Sequence, residues 1–414
     1  MAVERTVIVG SGHAGVEVAA SLRDGGYEGE IHLVGEEVEL PYQRPPLSKH
    51  PQRAGDATML PLRPASFYTS RAVHRASGER VLRIDRPHRR VLLASGGHLD
   101  YERLVLALGS SARRPAVPGA DGARVHELRS YSDACRLWHA LASARSLAVV
   151  GGGFLGLEFA AAARARGVAV TVIEVAPRLL ASAVSAPVAA VLERAHVQSG
   201  TDLVLDDSVS EIVRRRDTLV GVTTAAGRRV PADLVLVAVG AQPRTDLAAS
   251  AGLAVDDGIL VDPSMRTSDP SIFAVGDCAR VRHADGRSHR IESVASAVAT
   301  ARTAARSITG DDRVRSSPLW FWSEQGASML QIAGIAGRED DVVAHVDTPG
   351  QITALRFRGD DLVCVETVNR PRDHVRARRL LGDRGSVSVD RKMVYDLLTR
   401  RPERAGLDGS RGSR

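Results

Sequence analysis

Thr6-Val7-Ile8-Val9-Gly10-Ser11-Gly12-His13-Ala14-Gly15 decides how this chain folds. A β-branched run leads into Gly10-x-Gly12-x-x-Gly15, and then into the helical pattern Val16-Glu17-Val18-Ala19-Ala20. This is the strand, tight turn and helix start of a dinucleotide-binding unit. Glycine permits the turn, lets backbone approach a pyrophosphate and lets helix pack on strand. The phosphates then meet free amides at a helix N-terminus, where the dipole favours negative charge. A second strand, Ile31-His32-Leu33-Val34, ends at Gly35-Glu36, about twenty residues on, where a carboxylate can accept from ribose hydroxyls.

The grammar recurs. Leu147-Ala148-Val149-Val150 runs into Gly151-Gly152-Gly153-Phe154-Leu155-Gly156, a helix carrying Glu158 follows, and Val170-Thr171-Val172-Ile173 ends at Glu174. Two such units predict two dinucleotides on separate domains. Glu174 also discriminates between nicotinamide cofactors. A 2′-phosphate beside this carboxylate meets repulsion on the order of 4 kcal/mol at an effective dielectric of about 20, nearly three decades of affinity at about 1.4 kcal/mol per tenfold. NADH is therefore expected over NADPH, with Arg178 near enough in sequence to soften the preference.

Between the units lies Leu40-Pro41-Tyr42-Gln43-Arg44-Pro45-Pro46-Leu47-Ser48-Lys49, whose prolines make it a fixed loop. It follows the second strand, at the carboxyl edge where doubly wound sheets bind ligands, so Arg44 and Lys49 are expected to face a cofactor. Short alternating strands come next (Val81-Leu82-Arg83-Ile84, Arg90-Val91-Leu92-Leu93), then the buried-type run Leu104-Val105-Leu106-Ala107-Leu108-Gly109. Arg113 to Gly119 is Pro- and Gly-rich and reads as a linker. Leu234 to Gly240 closes the second unit. Ile272-Phe273-Ala274-Val275-Gly276-Asp277 is a strand ending at Gly-Asp, with Asp277 placed to accept from a polyol. Glu292 to Ala301 is an alanine-rich helix with Ser293 as N-cap; it is a plain packing helix or, if its N-terminus points at an isoalloxazine, one whose amides and dipole would stabilise negative charge on the reduced ring. From about Pro318 the character changes. Trp320-Phe321-Trp322, two alternating strands and an arginine-rich helix from Asp373 to Leu381 predict a small α+β domain.

The composition sets limits. At 414 residues, two or three domains are expected. The formal net charge of +6 favours an acidic partner but is too dispersed to indicate nucleic acid. Lys49 and Lys392 are the only lysines, so nearly all the basic residues are arginine. Cys135, Cys278 and Cys364 lie far apart with no C-x-x-C, which predicts neither a disulfide framework nor a structural metal site and fits a reducing cytoplasm. The first strand starts within a few residues of Met1, so no signal or transit peptide is expected. Leu147 to Ala163 is interrupted by glycines and Glu158, and reads as strand, turn and helix rather than a membrane span.

Together these residues resemble the FAD-dependent, NADH-linked ferredoxin reductases of the putidaredoxin reductase type, within the glutathione-reductase-like flavoproteins. The resemblance rests on the two glycine motifs, Arg44-Pro45-Pro46-Leu47-Ser48-Lys49, Thr267-Ser268-Asp269-Pro270, Gly276-Asp277-Cys278-Ala279, Trp320-Phe321-Trp322-Ser323 and Val368-Asn369-Arg370-Pro371. It implies an α/β fold of two Rossmann-like dinucleotide-binding domains plus a small C-terminal α+β domain. The expected division is an FAD-binding domain over 1–115 and 246–316, an NAD-binding domain over 116–245, a C-terminal domain over 317–402 and a flexible tail over 403–414. By the resemblance, Gly10, Gly12, Ala14, Gly15, Glu36, Arg44, Lys49, Val81, Arg129, Asp277 and Val294 contact FAD, with Trp322 the aromatic near the ring. Val81 and Arg129 rest on the resemblance alone. Gly151, Gly153, Phe154, Leu155, Gly156, Glu158, Glu174, Gly240 and Glu292 belong to the nicotinamide side. Leu108 stands where the family has Thr, so a hydroxyl contact is lost there.

The implied activity is electron transfer from NADH through FAD to a small acidic 2Fe–2S ferredoxin, which serves a cytochrome P-450 or related oxygenase, with no side chain acting as acid, base or nucleophile. Arg370, Arg372, Arg376, Arg378 and Arg379 are candidates for docking that ferredoxin, or form an ordinary solvated face. Rubredoxin reductase and dioxygenase reductase component remain alternatives, as does a redox-sensing interaction protein resembling apoptosis-inducing factor. A peroxide or disulfide reductase needs a redox cysteine in the flavin-facing loop, and Tyr42-Gln43-Arg44-Pro45 has none.

Overall fold

The computed structural model describes residues 4–49, 59–216, 218–283, 286, 288–311, 319–382, 386–388 and 390–399. The expected tail over 403–414 lies outside them.

The first glycine motif sits where a parallel sheet turns into a helix. Five strands, in the order Ile272–Ala274, Arg103–Leu106, Arg5–Val9, Glu30–Gly35 and Val73–Ser77, all run parallel. Val7, Ile8, Leu104, Val105 and Leu106 have no exposed surface, as expected of strands covered on both faces. The helix His13–Asp24 crosses over from Arg5–Val9 to Glu30–Gly35 and packs against the late helix Val294–Ile308. The strand Ile272–Ala274 and that late helix therefore return to the sheet where the chain began.

The second motif repeats the arrangement. Thr201–Val204, Ala169–Ile173, Ser146–Val150, Leu234–Val237 and Val125–His126 form another parallel sheet, with Phe154–Arg164 as the crossover helix. A two-stranded ribbon, Ser110–Ala112 antiparallel to Ala241–Pro243, joins the two units. Arg113 to Gly119 is more than a linker. Pro118 O accepts from Ile212 N at 2.9 Å, and a Cβ at Gly119 would run into Ile212 O, so the segment is packed on the neighbouring hairpin.

The C-terminal part is an antiparallel sheet in the order Trp320–Gln325, Ser328–Gly334, Asp361–Val368, Gln351–Arg358 and Asp341–Thr348. The helix Pro371–Leu381 packs on it through Ala377 and Leu381. Pro371 occupies its first turn, where the missing N–H costs nothing, so the helix starts two residues before Asp373. Among the described residues, no helix is long and apolar enough to cross a membrane.

Candidate functional site

Both glycine turns open onto one cavity of about 1670 Å³, which also takes in the Arg44-Pro45 loop, the Gly276-Asp277 turn and the Phe321-Trp322 edge of the C-terminal sheet. Each turn assigns its glycines different tasks. Gly10 (φ +110°) and Gly151 (φ +107°) hold left-handed backbone, and a Cβ on either would strike the neighbouring strand at Ala107 or Ala238. Gly15 and Gly156 pack helix on turn and do not line the cavity. Gly12 and Gly153 have nothing within 4 Å of a Cβ position, so they leave open space at the helix starts.

Those helix starts leave their amides free. His13–Asp24 and Phe154–Arg164 begin at Gly12 and Gly153 with no side-chain cap. By contrast Ser130 and Ser293 cap the helices that follow them, Ser293 Oγ accepting from Ser296 N at 3.0 Å as expected. First-turn amides without an intrahelical partner, facing open space, form a site for a diester or pyrophosphate. The residues present fit two dinucleotides.

Glu36 and Glu174 stand at the ends of the second strand of each unit, and both line the cavity. Glu174 takes Gly152 N–H at 2.6 Å and Ala176 N–H at 2.8 Å, so it also braces the glycine turn. Arg178, expected beside it, instead donates to Ala181 O at 2.8 Å. Glu36 is paired with Arg244.

The cations at the first unit are already partnered. Arg44 donates to Glu37 Oε1 at 2.7 Å and to Arg129 O at 2.7 Å. Tyr42, buried, donates its hydroxyl to Glu37 and accepts from Tyr131 N at 2.7 Å. Burial pushes its phenol well above the usual range, so it stays a donor. Arg129 Nη2 reaches Asp277 Oδ2 at 2.8 Å, and Ser110 Oγ donates to the same oxygen at 3.0 Å. Arg129 thus gains a physical reading: it orients the Asp277 carboxylate. His13, which no sequence pattern marks, lines the cavity too. Burial first, then the charges of Arg44 and Arg129, bring its imidazole down to about 4 against the opposing pull of Asp277, so it is neutral at pH 7.

Glu158 is where the three parts of the chain meet. On the helix Phe154–Arg164, it accepts from Ser48 Oγ at 2.5 Å, Ser323 Oγ at 2.8 Å and Glu324 N at 3.3 Å. Lys49 lies 3.4 Å from Glu158 and 3.6 Å from Glu324. Lys49 does not itself line the cavity; it sits behind Glu158, which does. Trp138 Nε1 donates to Leu47 O at 2.9 Å and fixes the loop from below.

Val81, Ala14, Val294, Gly240, Leu155 and Glu292 line the cavity, Glu292 in a pair with Arg290. Trp322 lines it and stacks on Trp320, ring centroids 5.1 Å apart, while Phe154 meets Phe321 at 4.4 Å. Of the sequence-derived candidates only Gly15, Lys49 and Gly156 fall outside the lining. Glu37, His13, Ser48, Ser110, Arg244 and Ser323 escaped sequence reasoning, since each matters through a partner remote in sequence or through the space it faces.

The arginine-rich helix is partly spoken for. Arg370 is bound to Asp347 at 2.7 Å and Asp373 at 2.8 Å, and the Arg378 guanidinium lies 4.4 Å above the Trp320 ring. Cys278 is fully buried, donating weakly to the Leu106 and Val275 carbonyls, and burial raises its thiol to about 11. It is no nucleophile at neutral pH.

Comparison with known proteins agrees with this geometry. The pyridine nucleotide-disulphide oxidoreductase family matches residues 4–301, and the reductase C-terminal family matches 320–397. Rhodocoxin reductase of Rhodococcus erythropolis is 43% identical over 91% of this chain and 88% of its own length. Putidaredoxin reductase of Pseudomonas putida is 38% identical over 92% of each. Among solved structures, the ferredoxin reductase for the CYP199A2 system from Rhodopseudomonas palustris superposes with a TM-score of 0.89 at 39% identity, covering 93% of this chain and 96% of that one. The covalent putidaredoxin reductase–putidaredoxin complex gives 0.88 at 36% identity, covering 94% and 95%. The chain therefore belongs to the pyridine nucleotide-disulphide oxidoreductase family, as a two-dinucleotide α/β flavoprotein with a reductase C-terminal domain that uses FAD and NAD(H).

Proposed function

We propose that this chain passes electrons from NADH through FAD to a small acidic 2Fe–2S ferredoxin, which feeds a cytochrome P-450 or related oxygenase. The observation that carries this reading is the single cavity on which two uncapped glycine turns and Trp322 converge, beside a loop without a thiol. The division into an FAD-binding domain (1–115 and 246–316), an NAD-binding domain (116–245) and a C-terminal domain (317–402) is part of the proposal, as is a cytoplasmic location.

In this reading Gly10, Gly12 and Ala14 hold the FAD pyrophosphate against the first helix, and Glu36 holds its ribose. Arg44, Val81, Arg129, Asp277 and Val294 surround the rest. Gly151, Gly153, Phe154, Leu155, Glu174, Gly240 and Glu292 receive NADH. Bound FAD supplies the exchange between two-electron hydride chemistry and one-electron delivery. The chain's own residues then bind, orient and exclude water. Glu174 rejects a 2′-phosphate by charge. Asp277, held by Arg129 and Ser110, keeps one carboxylate orientation. Glu158 ties the loop ending at Lys49, the NADH-side helix and the C-terminal sheet into one frame, which keeps the two cofactor sites at a fixed separation. No side chain acts as acid, base or nucleophile in this scheme.

Steady-state reduction of purified 2Fe–2S ferredoxins, with NADH and NADPH in parallel, tests the proposal. NADH-dependent ferredoxin reduction is expected. Turnover of rubredoxin alone would move the acceptor to the class named for the Pseudomonas putida rubredoxin-NAD(+) reductase, which is 39% identical. A yellow protein that is reduced by NADH and passes electrons to neither would make it a sensor.

A further inference from the structure

Arg244 stands at the seam of the two nucleotide-binding units, and nothing in the sequence marks it. It follows directly on Ala241–Pro243, the strand that pairs with Ser110–Ala112 to join the units. Its backbone N donates to Gly109 O at 3.0 Å, the end of the buried run from the first sheet. Its guanidinium donates to Glu36 Oε1, and both side chains line the same cavity. One residue thus ties the return crossing, the Leu108-Gly109 turn and the ribose-side carboxylate together.

We propose that Arg244 is a cofactor-positioning residue, which with Glu36 forms a clasp over the adenosine end of FAD and slows its release. This rests on the assignment of the first unit to FAD. A carboxylate has two oxygens. Arg244 engages Oε1, and among the described residues Oε2 accepts no protein donor, so it is left for a ribose hydroxyl. By holding Oε1, Arg244 restricts the Glu36 side chain to one orientation, so that the ribose meets an ordered acceptor rather than a mobile one. Its positive charge also sits on the wall of the cavity that receives an anionic pyrophosphate. Side-chain exposure of 46% for Arg244 and 43% for Glu36 makes the bare pair worth little by itself. The contact gains weight only when a ligand covers it and excludes water.

Arg44, Arg80 and Arg129 also line the cavity, and none of them pairs with Glu36. Arg44 is held by Glu37 and Arg129 O, and Arg129 by Asp277 and Ser110 O. Neither of them reaches Glu36, whereas Arg244 arrives from the crossing and does. Releasing FAD past Arg244 requires the Glu36 contact to open.

The test uses the purified flavoprotein and reads the rate at which free flavin fluorescence appears on dilution, with NADH affinity measured alongside. Arg244→Ala is expected to release FAD about tenfold faster, the size of one charge-assisted hydrogen bond, with NADH affinity unchanged. Arg244→Lys should recover part of the loss. In a Glu36→Gln background, Arg244→Ala should add little, because the two residues act as a unit. Unchanged release in Arg244→Ala overturns the clasp. So does an equal loss in the Glu36→Gln background, or a matching loss of NADH affinity, which would mark a general loosening of the crossing. A wild-type chain that takes up no flavin at all removes the FAD assignment beneath it, and that outcome is read before any variant is made.

Discussion

At the scale of single residues, Glu174 carries two duties that the sequence shows as one. Its position after the strand Ala169–Ile173 is legible from the motif, and so is its charge. That its two oxygens brace the Gly152 and Ala176 amides is not, because the turn has to be built first. The two duties separate in mutants. Glu174→Arg should move the ratio of kcat/KM for NADH over NADPH towards NADPH by two to three decades, roughly the repulsion removed. It should also weaken NADH itself, since two backbone donors lose their acceptor. Glu174→Gln keeps an acceptor oxygen and should shift the ratio by less while sparing the turn. A cofactor ratio left unchanged by Glu174→Arg would remove Glu174 from the discrimination.

Among elements, those marked by composition were the legible ones. Continuous apolar runs gave the central strands of both parallel sheets, because strands buried on two faces need apolar residues throughout. Ser293 gave the start of the helix Val294–Ile308, because a hydroxyl cap is a local interaction. The edge strand Asp341–Thr348 was not legible: Val342 and Val346 are 39% and 54% exposed, so no buried face announces it. The pairings inside the cavity were illegible for another reason. Arg129 and Asp277, or Ser48 and Glu158, are brought together only by the fold. One element carries a pH signature of its own. His374, in the helix Pro371–Leu381, is buried near Trp320 with no hydrogen-bond partner for either ring nitrogen. Burial, then the Arg378 charge, hold it down at about 4. The unfolded chain binds this proton more readily, so stability falls as pH drops from about 6.5 towards 4, on the order of 1.4 kcal/mol per pH unit in that window. His374→Leu should therefore flatten the acid limb of the denaturant midpoint and leave pH 7 to 8 little changed. Parallel curves for the two proteins would show that His374 already takes its proton in the folded state.

For the whole molecule, the decisive quantity is where the surplus positive charge is available to a partner. The formal net charge is +6, yet much of the arginine is internal to the fold's own ion pairs. Arg356 is buried against Glu366, which also accepts from Ser185 N at 2.8 Å and so ties the C-terminal sheet to the second unit. Arg370 is held by Asp347 and Asp373, and Arg378 lies on Trp320. Replacing any of these would disturb packing as well as charge. Arg372 and Arg379 are exposed on the same helix, whose neighbour Trp320 stacks on the cavity-lining Trp322. An acidic ferredoxin steered to this side would feel their charge chiefly in its rate of encounter. The double variant Arg372→Glu/Arg379→Glu should raise the KM for such a ferredoxin about tenfold at low ionic strength. The difference should fade as salt rises towards about 0.5 M, where the screening length is only a few ångströms. NADH oxidation with ferricyanide, which needs no protein docking, should be unaltered and serves as the internal standard. A KM that does not respond to the double charge reversal at low salt would place the acceptor on another face of the molecule, and a parallel fall in ferricyanide turnover would trace the effect to the flavin site instead.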